Sequence, residues 1–250
     1  MIDSAGAASA VFAAGIAAGT INTIVGSGTL VTFPTLLALG VNPITANVSN
    51  TLGLVPGSAS GAWGYRRELE GQLPRFLWLA PATTLGGIIG ALLLFTLPSS
   101  AFKSIVPVLI GIGVLLVIVG PSLNRRLALH GTTRGHHRWL WPAMLGNGIY
   151  GGYFGAAQGV IMMALFTVAI DDDLQRLNAL KNVLSALVNG VAAVVFLFSG
   201  YMDWRIAGLL AAGSLIGGQL GATVGRRLPP VVLRTVIVAV GITAIVSFAR

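Results

Sequence analysis

The sequence predicts an all-α integral membrane protein, and three observations carry this prediction. Of the 250 residues, 55% are hydrophobic and only 9% are charged, with a mean hydropathy of +0.86. A soluble domain carries about 25% charged residues, so lipid must cover most of this surface. Long apolar runs recur along the whole chain, several near the roughly 20 residues that a helix needs to cross a bilayer. They lack the polar–apolar alternation of outer-membrane barrel strands.

The apolar runs give the order of the predicted helices. They lie at 6–25, 29–40, 44–65, 74–97, 101–120, 139–158, 160–170, 176–200, 203–225 and 230–248. The first is interpreted as a retained membrane segment, because no basic stretch of a signal peptide precedes it. The second and seventh are too short to span a bilayer, and each follows a longer run across a Gly-rich break. We therefore predict two broken helix hairpins, with breaks at 26–28 and 155–159.

An internal repeat organises these runs. The longest polar stretch predicts a first membrane repeat at 1–122, a basic cytoplasmic linker at 123–138 and a second membrane repeat at 139–250. A shift of 131 residues places Gly86-Gly87-x-x-Gly90-Ala91 on Gly217-Gly218-x-x-Gly221-Ala222. Shifts of 132 or 133 place further residues on one another: Asn50 on Asn182, Gly15 on Gly148, Gly19 on Gly152 and Gly26 on Gly159.

The distribution of arginine predicts the orientation of the two halves. Each half is expected to form a broken, re-entrant helix hairpin followed by three transmembrane helices, and three crossings invert the second half. Inversion keeps most arginines cytoplasmic, as the positive-inside rule requires: Arg66, Arg67, Arg75, Arg125, Arg126, Arg134, Arg138, Arg226 and Arg227. The net charge of +8 is therefore attributed to topology and not to nucleic-acid binding. The expected location is the bacterial inner membrane, crossed several times.

The two helix breaks are candidate binding sites. Backbone groups freed by a break inside the hydrocarbon must be buried in protein or line a water-filled cavity. Ser27, Gly28 and Thr29 stand where the second half-helix of the first hairpin begins, and its free N–H groups favour an anion. Gln158 holds the corresponding position in the second hairpin. The alternative is that the glycines at the breaks only allow helices to pack closely.

The segment after each hairpin is rich in amides and hydroxyls. Asn47, Asn50 and Thr51 lie within one helical turn of one another in the first half, and Asn178, Lys181 and Asn182 do so in the second. Amides and hydroxyls donate hydrogen bonds to oxyanions, and Lys181 adds a positive charge. A lysine inside a membrane is costly unless it is paired, hydrated or able to reach the headgroups. Lys181 is therefore expected either to face the ligand or to extend to the cytoplasmic surface.

The position of the acidic residues indicates the sign of the cargo. All seven carboxylates lie at predicted helix ends or in loops, whereas cation carriers and proton relays keep an acid inside the membrane. The densest group, Asp171-Asp172-Asp173, precedes a helix and is interpreted as a helix cap. The sequence contains no cysteine, metal-ligand spacing or catalytic motif, so we expect no cofactor, no metal and no enzymatic activity. The expected cargo is an anion.

The sequence also resembles the sulfite exporter TauE/SafE family of bacterial membrane proteins over nearly its full length. The resemblance is carried by the first Gly-rich break and by segments at 30–34, 46–52, 58–63, 178–182 and 199–204, together with the repeated Gly-Gly-x-x-Gly-Ala. It implies export or uptake of sulfite or of small organosulfonates such as sulfoacetate.

Three functional hypotheses remain open from the sequence. The first is a secondary transporter of small sulfur oxyanions that works by alternating access, with its site where the two hairpins meet. The second is an anion channel or a transporter for another small anion, which would share the same residues. The third is a membrane-embedded enzyme or a non-transporting partner subunit, and the missing catalytic constellation argues against the enzyme. The expected partners are a small anion and the lipid bilayer, and the glycine-rich faces permit a homodimer.

Overall fold

The computed structural model describes residues 4–129 and 138–223, together with Thr235, and the described part is helical with no strand. It comprises α1 Ala5–Ile24, α2 Thr29–Ala38, α3 Pro43–Gly64, α4 Leu73–Thr96, α5 Ser99–Leu129, α6 Leu140–Tyr153, α7 Gln158–Ala169, α8 Leu174–Leu197 and α9 Trp204–Thr223. These helices follow the first nine apolar runs in order. The tenth run, 230–248, lies outside the described residues apart from Thr235, and Arg134, Arg226 and Arg227 also lie outside them. The predicted linker is described only at its two ends, and α5 continues through its first part to Leu129.

Polar side chains fix the starts of several helices. The Asn42 side chain accepts a hydrogen bond from Ile44 N at 3.0 Å, and Pro43 occupies the first turn of α3. Asp173 accepts from Gln175 N at 2.8 Å at the start of α8. The predicted capping role of the acidic cluster is therefore confirmed for Asp173. The sequence did not foresee the separate role of Asp172, described below.

Helix length separates the candidate membrane spans from the short hairpin arms. By length and composition, α1, α4, α8 and α9 could each cross a membrane. The second arms of the two hairpins are short: α2 has 10 residues and α7 has 12, so they extend only about 15–18 Å. The first arms differ, because α1 has 20 residues whereas α6 has 14. The α1 arm is thus as long as a full span before the chain breaks and turns back.

Glycines bring two pairs of helices into close contact. A Cβ added to Gly217 of α9 would lie 2.9 Å from Thr20 N of α1, and one on Gly213 would lie 3.1 Å from Gly15 Cα. In the other pair, α4 against α6, a Cβ on Gly86 would lie 2.9 Å from Gly148 Cα. The α9 glycines Gly213 and Gly217 therefore serve helix packing. Their face lies against α1 of the same chain, so it is not free for a second copy.

The loops gather at two opposite ends of the bundle. At one end, Gln72 Nε2 donates to Arg176 O at 2.6 Å, which joins the α3–α4 loop to the start of α8. At the other end, the ring of Phe95 near the end of α4 stacks on Tyr201 in the α8–α9 loop, with centroids 6.2 Å apart. Both helix breaks lie in the region of the bundle between these two ends.

Candidate functional site

The first arms of the two hairpins end in the same way. At the end of α1, Gly26 has a φ of +85°, and the N–H groups of Val25 and Gly26 both donate to Ile21 O, at 2.7 and 3.2 Å. At the end of α6, Gly155 has a φ of +72°, and its N–H shares Tyr150 O with the preceding residue. This left-handed conformation suits glycine and ends the helix by turning the chain away from its axis.

The two breaks touch each other. Gly159 N, in the first turn of α7, donates to Gly26 O across the two halves at 3.0 Å. A Cβ on Gly159 would lie 2.5 Å from Gly26 Cα and 3.1 Å from Lys181 Cδ. The approach therefore requires glycine at this crossing, and it places the side chain of Lys181 directly beside it.

Polar side chains of α8 converge on the end of α1. Lys181 is fully buried, and its Nζ donates to Asn22 O at 3.0 Å and to Thr23 O at 3.1 Å. The amides of Asn178 and Asn182 each donate to the same Thr23 O, at 3.2 Å. The last carbonyls of a helix have no partner within it and carry partial negative charge. These three side chains thus satisfy the broken end of α1, and Lys181 does not reach the headgroups.

The polar side chains of α3 make a related set of contacts in the first half. Asn47 Nδ2 donates to Tyr153 O at the end of α6, at 2.9 Å, as Asn178 does to the end of α1. Asn50 bonds instead to α2: its Nδ2 donates to Thr29 Oγ1 at 3.2 Å, and Thr32 donates to its Oδ1. Thr51 is turned back to its own helix and donates to Asn47 O at 2.9 Å. The first half therefore contributes one amide, and the second half two, to the broken helix of the other half.

Gln158 and Gly28 contact the first arms of their own hairpins. Gln158 O accepts from Asn147 Nδ2 at 3.2 Å, and a Cβ on Gly151 would lie 2.5 Å from Gln158 Oε1. In the first hairpin, Gly28 N donates a long hydrogen bond of 3.5 Å to Asn22 Oδ1. The Gln158 side chain thus packs against α6.

Unpartnered polar atoms cluster around these crossings. Buried polar atoms in proteins are normally hydrogen-bonded. In the part of the chain that the structure describes, the buried side-chain oxygens without a partner are those of Thr23, Ser27, Asn47, Tyr153, Asn178 and Asn182. All belong to the ends of α1 and α6, to the first break, or to the residues of α3 and α8 that bind those ends. These oxygens can exchange hydrogen bonds with a bound molecule.

The sequence of the whole chain matches a known family. The family described as sulfite exporter TauE/SafE matches over residues 11–248. The chain belongs to the sulfite exporter TauE/SafE family.

The relatives of this TauE/SafE protein are named as membrane transporters. A probable membrane transporter protein of Haemophilus influenzae is 28% identical over 233 residues, covering 91% of this chain and 88% of that protein. The probable membrane transporter protein ORF9 of Sinorhizobium sp is 28% identical over 239 residues, covering 92% and 88%. YfcA of Escherichia coli K12, also a probable membrane transporter protein, is 27% identical over 230 residues, covering 89% and 82%. No solved structure matches the chain.

Two contacts of this TauE/SafE protein escaped the sequence reasoning. Asn22 and Asn147 are amide residues in the first arms of the hairpins, and each forms a hydrogen bond at its own break. The available signal was an amide inside a membrane-length run, which is costly unless it is bound.

A charged cluster lies apart from the TauE/SafE breaks, at the end of the bundle that contains the α3–α4 loop. Asp172 binds both Arg75 and Arg176, the latter at 2.9 Å. Burial disfavours its charged form, but the hydrogen bond and charge of Arg75, together with Arg176, outweigh burial and hold the pKa of the Asp172 carboxyl below its ordinary value. No group of three or more metal-ligating side chains occurs among the described residues. The cluster therefore joins the two halves electrostatically.

Proposed function

We propose that this protein is a secondary transporter that moves small sulfur oxyanions, sulfite or organosulfonates such as sulfoacetate, across the bacterial inner membrane by alternating access. The observation that carries the proposal is the buried ammonium of Lys181 where the two helix breaks meet. Its hydrogen-bond partners are backbone carbonyls, and it forms no ion pair with a described carboxylate. A buried cation without an acid attracts a negatively charged ligand.

The chemistry around Lys181 defines how an oxyanion would bind. An ammonium has three N–H donors, and two of them are used by Asn22 O and Thr23 O. The third donor and the free hydroxyl of Ser27 are proposed to bind the oxyanion. The proposed binding residues are Ser27, Gly28, Thr29, Asn47, Asn50, Thr51, Gln158, Asn178, Lys181 and Asn182.

Within this set the proposed roles differ. The N–H groups of Asn47, Asn178 and Asn182 already donate to helix-end carbonyls, so these residues hold the broken ends in place. Gly28 and Thr29 contribute the start of α2, whose partial positive charge favours an anion.

Helix packing supports an inverted repeat as the basis of alternating access. In this repeat α1–α4 correspond to α6–α9, so the α1–α9 pair corresponds to α6–α4. A Cβ on Gly148 would lie 2.8 Å from Thr83 O and 3.3 Å from Gly87 N. A Cβ on Gly19 would contact Ser214 O and would lie 3.0 Å from Gly218 N. Ser214 and Gly218 follow Thr83 and Gly87 by 131 positions, the shift of the repeat.

In the proposed repeat Gly19 therefore corresponds to Gly148 and, by their shared positive φ, Gly26 corresponds to Gly155. This pairing differs by one helical turn from the one that the sequence suggested for the first arms. The proposed motion rocks one half against the other about the crossing of the breaks. The proposed partners are the small anion, the lipid bilayer and, through a surface other than the α9 glycines, a second copy.

Uptake by proteoliposomes that contain the purified protein tests the proposal. Labelled sulfite and sulfoacetate are the substrates, and phosphate and chloride are the competitors. We expect saturable uptake, inhibited by sulfonates and accelerated by unlabelled substrate on the opposite side. Uptake that does not saturate and shows no such exchange would identify the alternative, an anion channel. Flux no greater than in empty liposomes for every sulfur oxyanion would refute the proposed cargo.

Two variants locate the site in the same assay. Lys181→Ala is expected to abolish uptake, because it removes the charge at the crossing. Gly146→Ala in α6 is the control, since no atom lies within 4 Å of the added methyl group. Full uptake at unchanged affinity by the Lys181 variant would show that the anion binds elsewhere.

A further inference from the structure

The ammonium of Lys181 occupies a site that is built for a cation. Its two acceptors, Asn22 O and Thr23 O, are among the last carbonyls of α1, where the helix dipole is negative. The residues that share the Thr23 carbonyl with it also carry unpartnered oxygens: Thr23 Oγ1, Asn178 Oδ1 and Asn182 Oδ1. Half-helix ends of this kind coordinate the coupling ion in other transporters. Here a side chain of the protein supplies the positive charge.

Charged groups on the helices around Lys181 do not neutralise it. The helices packed against α8 are α1, α3, α4, α6 and α7. Three of them, α1, α3 and α7, contain no charged residue, and the titratable residues of α6 are Tyr150 and Tyr153. The remaining charges are Arg75 on α4 and Arg176 on α8 itself, and both bind Asp172. Among the described residues, backbone carbonyls and helix dipoles are therefore what stabilises the ammonium.

The two halves differ at this point. Asn47 and Asn178 each donate to the end of the other half's first arm, and pairing them makes Asn50 correspond to Lys181 and not to Asn182 as the sequence overlay had it. Asn50 bonds to Thr29 and Thr32 of its own hairpin. The end of α6 accepts the neutral amide of Asn47 at Tyr153 O. The end of α1 is thus bound by an amine as well as by amides, whereas the end of α6 is bound by a neutral amide.

We propose that Lys181 is the proton-binding site that couples this transporter to the proton gradient, with one proton exchanged per cycle. The inference rests on the proposed function and adds its driving ion. On release, one N–H bond of the ammonium breaks, the proton passes to water, and the electron pair remains on the amine nitrogen. A charge-assisted hydrogen bond is roughly twice as strong as a neutral one, so both bonds to the end of α1 weaken. The ammonium form binds the anion, and the amine form allows the empty site to return.

Arginine at this position separates coupling from anion binding. Lysine can lose its proton in a buried site, whereas arginine stays charged. In proteoliposomes, Lys181→Arg is expected to exchange labelled for unlabelled sulfite but to lose net uptake driven by a pH gradient. Wild-type protein is expected to perform both reactions. Gradient-driven uptake retained by Lys181→Arg would overturn the inference, as would wild-type exchange that is insensitive to the gradient.

A second measurement needs no cargo and so separates this inference from the proposed function. The chain contains no cysteine, so Ser27→Cys introduces a single thiol at the first break. We expect its rate of thiol labelling to rise more steeply with pH beside Lys181 than in the Lys181→Arg background. The arginine background reports the intrinsic pH dependence of the thiol.

Lys181→Gln serves as a further background in case the arginine does not fit. In this background the introduced thiol is expected to react rapidly at every pH, with only the pH dependence that is intrinsic to a thiol. Equal pH dependence in the lysine and glutamine backgrounds would overturn the coupling role even if sulfite transport is established. Lysine-dependent labelling without flux of any sulfur oxyanion would refute only the proposed cargo.

Discussion

Replacement of Gly159 by alanine tests whether the contact between the two breaks holds the protein together. The added methyl carbon would lie 2.5 Å from Gly26 Cα, whereas carbon atoms in contact prefer about 3.5–4.0 Å. The halves must separate locally by about 1 Å to accept it. That separation would also break the 3.0 Å hydrogen bond from Gly159 N to Gly26 O.

The expected loss of stability follows from these two effects. Overpacking a tight contact costs about 1–3 kcal/mol, and a lost hydrogen bond costs about 0.5–1.5 kcal/mol. Alanine recovers up to about 1 kcal/mol over glycine in a helix. Gly146→Ala in α6 makes the same chemical change in open space and so cancels this gain. The free energies of unfolding of the two variants should therefore differ by about 2–4 kcal/mol.

Thermal unfolding of both variants in lipid nanodiscs measures this difference. At roughly 2–4 °C per kcal/mol for a chain of this size, Gly159→Ala should unfold about 4–16 °C below Gly146→Ala. Sulfite exchange should fall in Gly159→Ala, because Lys181 Cδ lies 3.1 Å from the new atom. Equal melting temperatures and equal exchange would refute the close approach of the breaks.

Two further predictions concern the charged cluster and the free hydroxyl. Asp172→Asn should lower the free energy of unfolding at neutral pH by about 1 kcal/mol, discounted for solvent screening, while Asn at exposed Asp171 should have little effect. Because the folded-state pKa of Asp172 is depressed, this stabilisation is present above the ordinary Asp pKa of about 3.9 and is lost as pH falls through the folded-state pKa. Denaturation measured across that pH range tests this. A difference in the free energy of unfolding between wild type and Asp172→Asn that stays constant with pH would contradict the ion-pair account. Ser27→Ala should leave stability within about 0.5 kcal/mol, since Ser27 Oγ has no partner to lose, but should raise the KM for sulfite; an unchanged KM would remove Ser27 from the site.

The order of helices could be predicted from the sequence because the hydrocarbon imposes it. Each of the first nine apolar runs corresponds to a described helix, and both Gly-rich breaks lie where the composition placed them. The one-turn difference within the proposed repeat has a physical reason. The sequence overlay matched glycine with glycine without regard to conformation, whereas the structure uses these glycines for two purposes. Gly155 turns the chain at a positive φ, and Gly159 allows contact with the other half.

The candidate site was predictable in its residue types but not in its connections. Polar residues in a membrane helix indicate a functional or structural need, and Asn47, Asn178 and Lys181 do lie at the breaks. The sequence gives no information on which atoms remain free once these side chains have bound the helix ends. That depends on the crossing of α3 and α8 over the hairpins, which arises only in the folded chain.

The distinction between bound and free atoms decides how a transport defect should be interpreted. An alanine at Asn178 removes a partner of Thr23 O, so it can impair transport by loosening the end of α1 without any contact with cargo. An alanine at Ser27 removes an oxygen that bonds to nothing else in the described chain. A defect in substrate affinity at Ser27 with unchanged stability therefore reports binding directly, whereas the same defect at Asn178 does not. Comparison of the two variants separates the residues that contact the anion from those that position them.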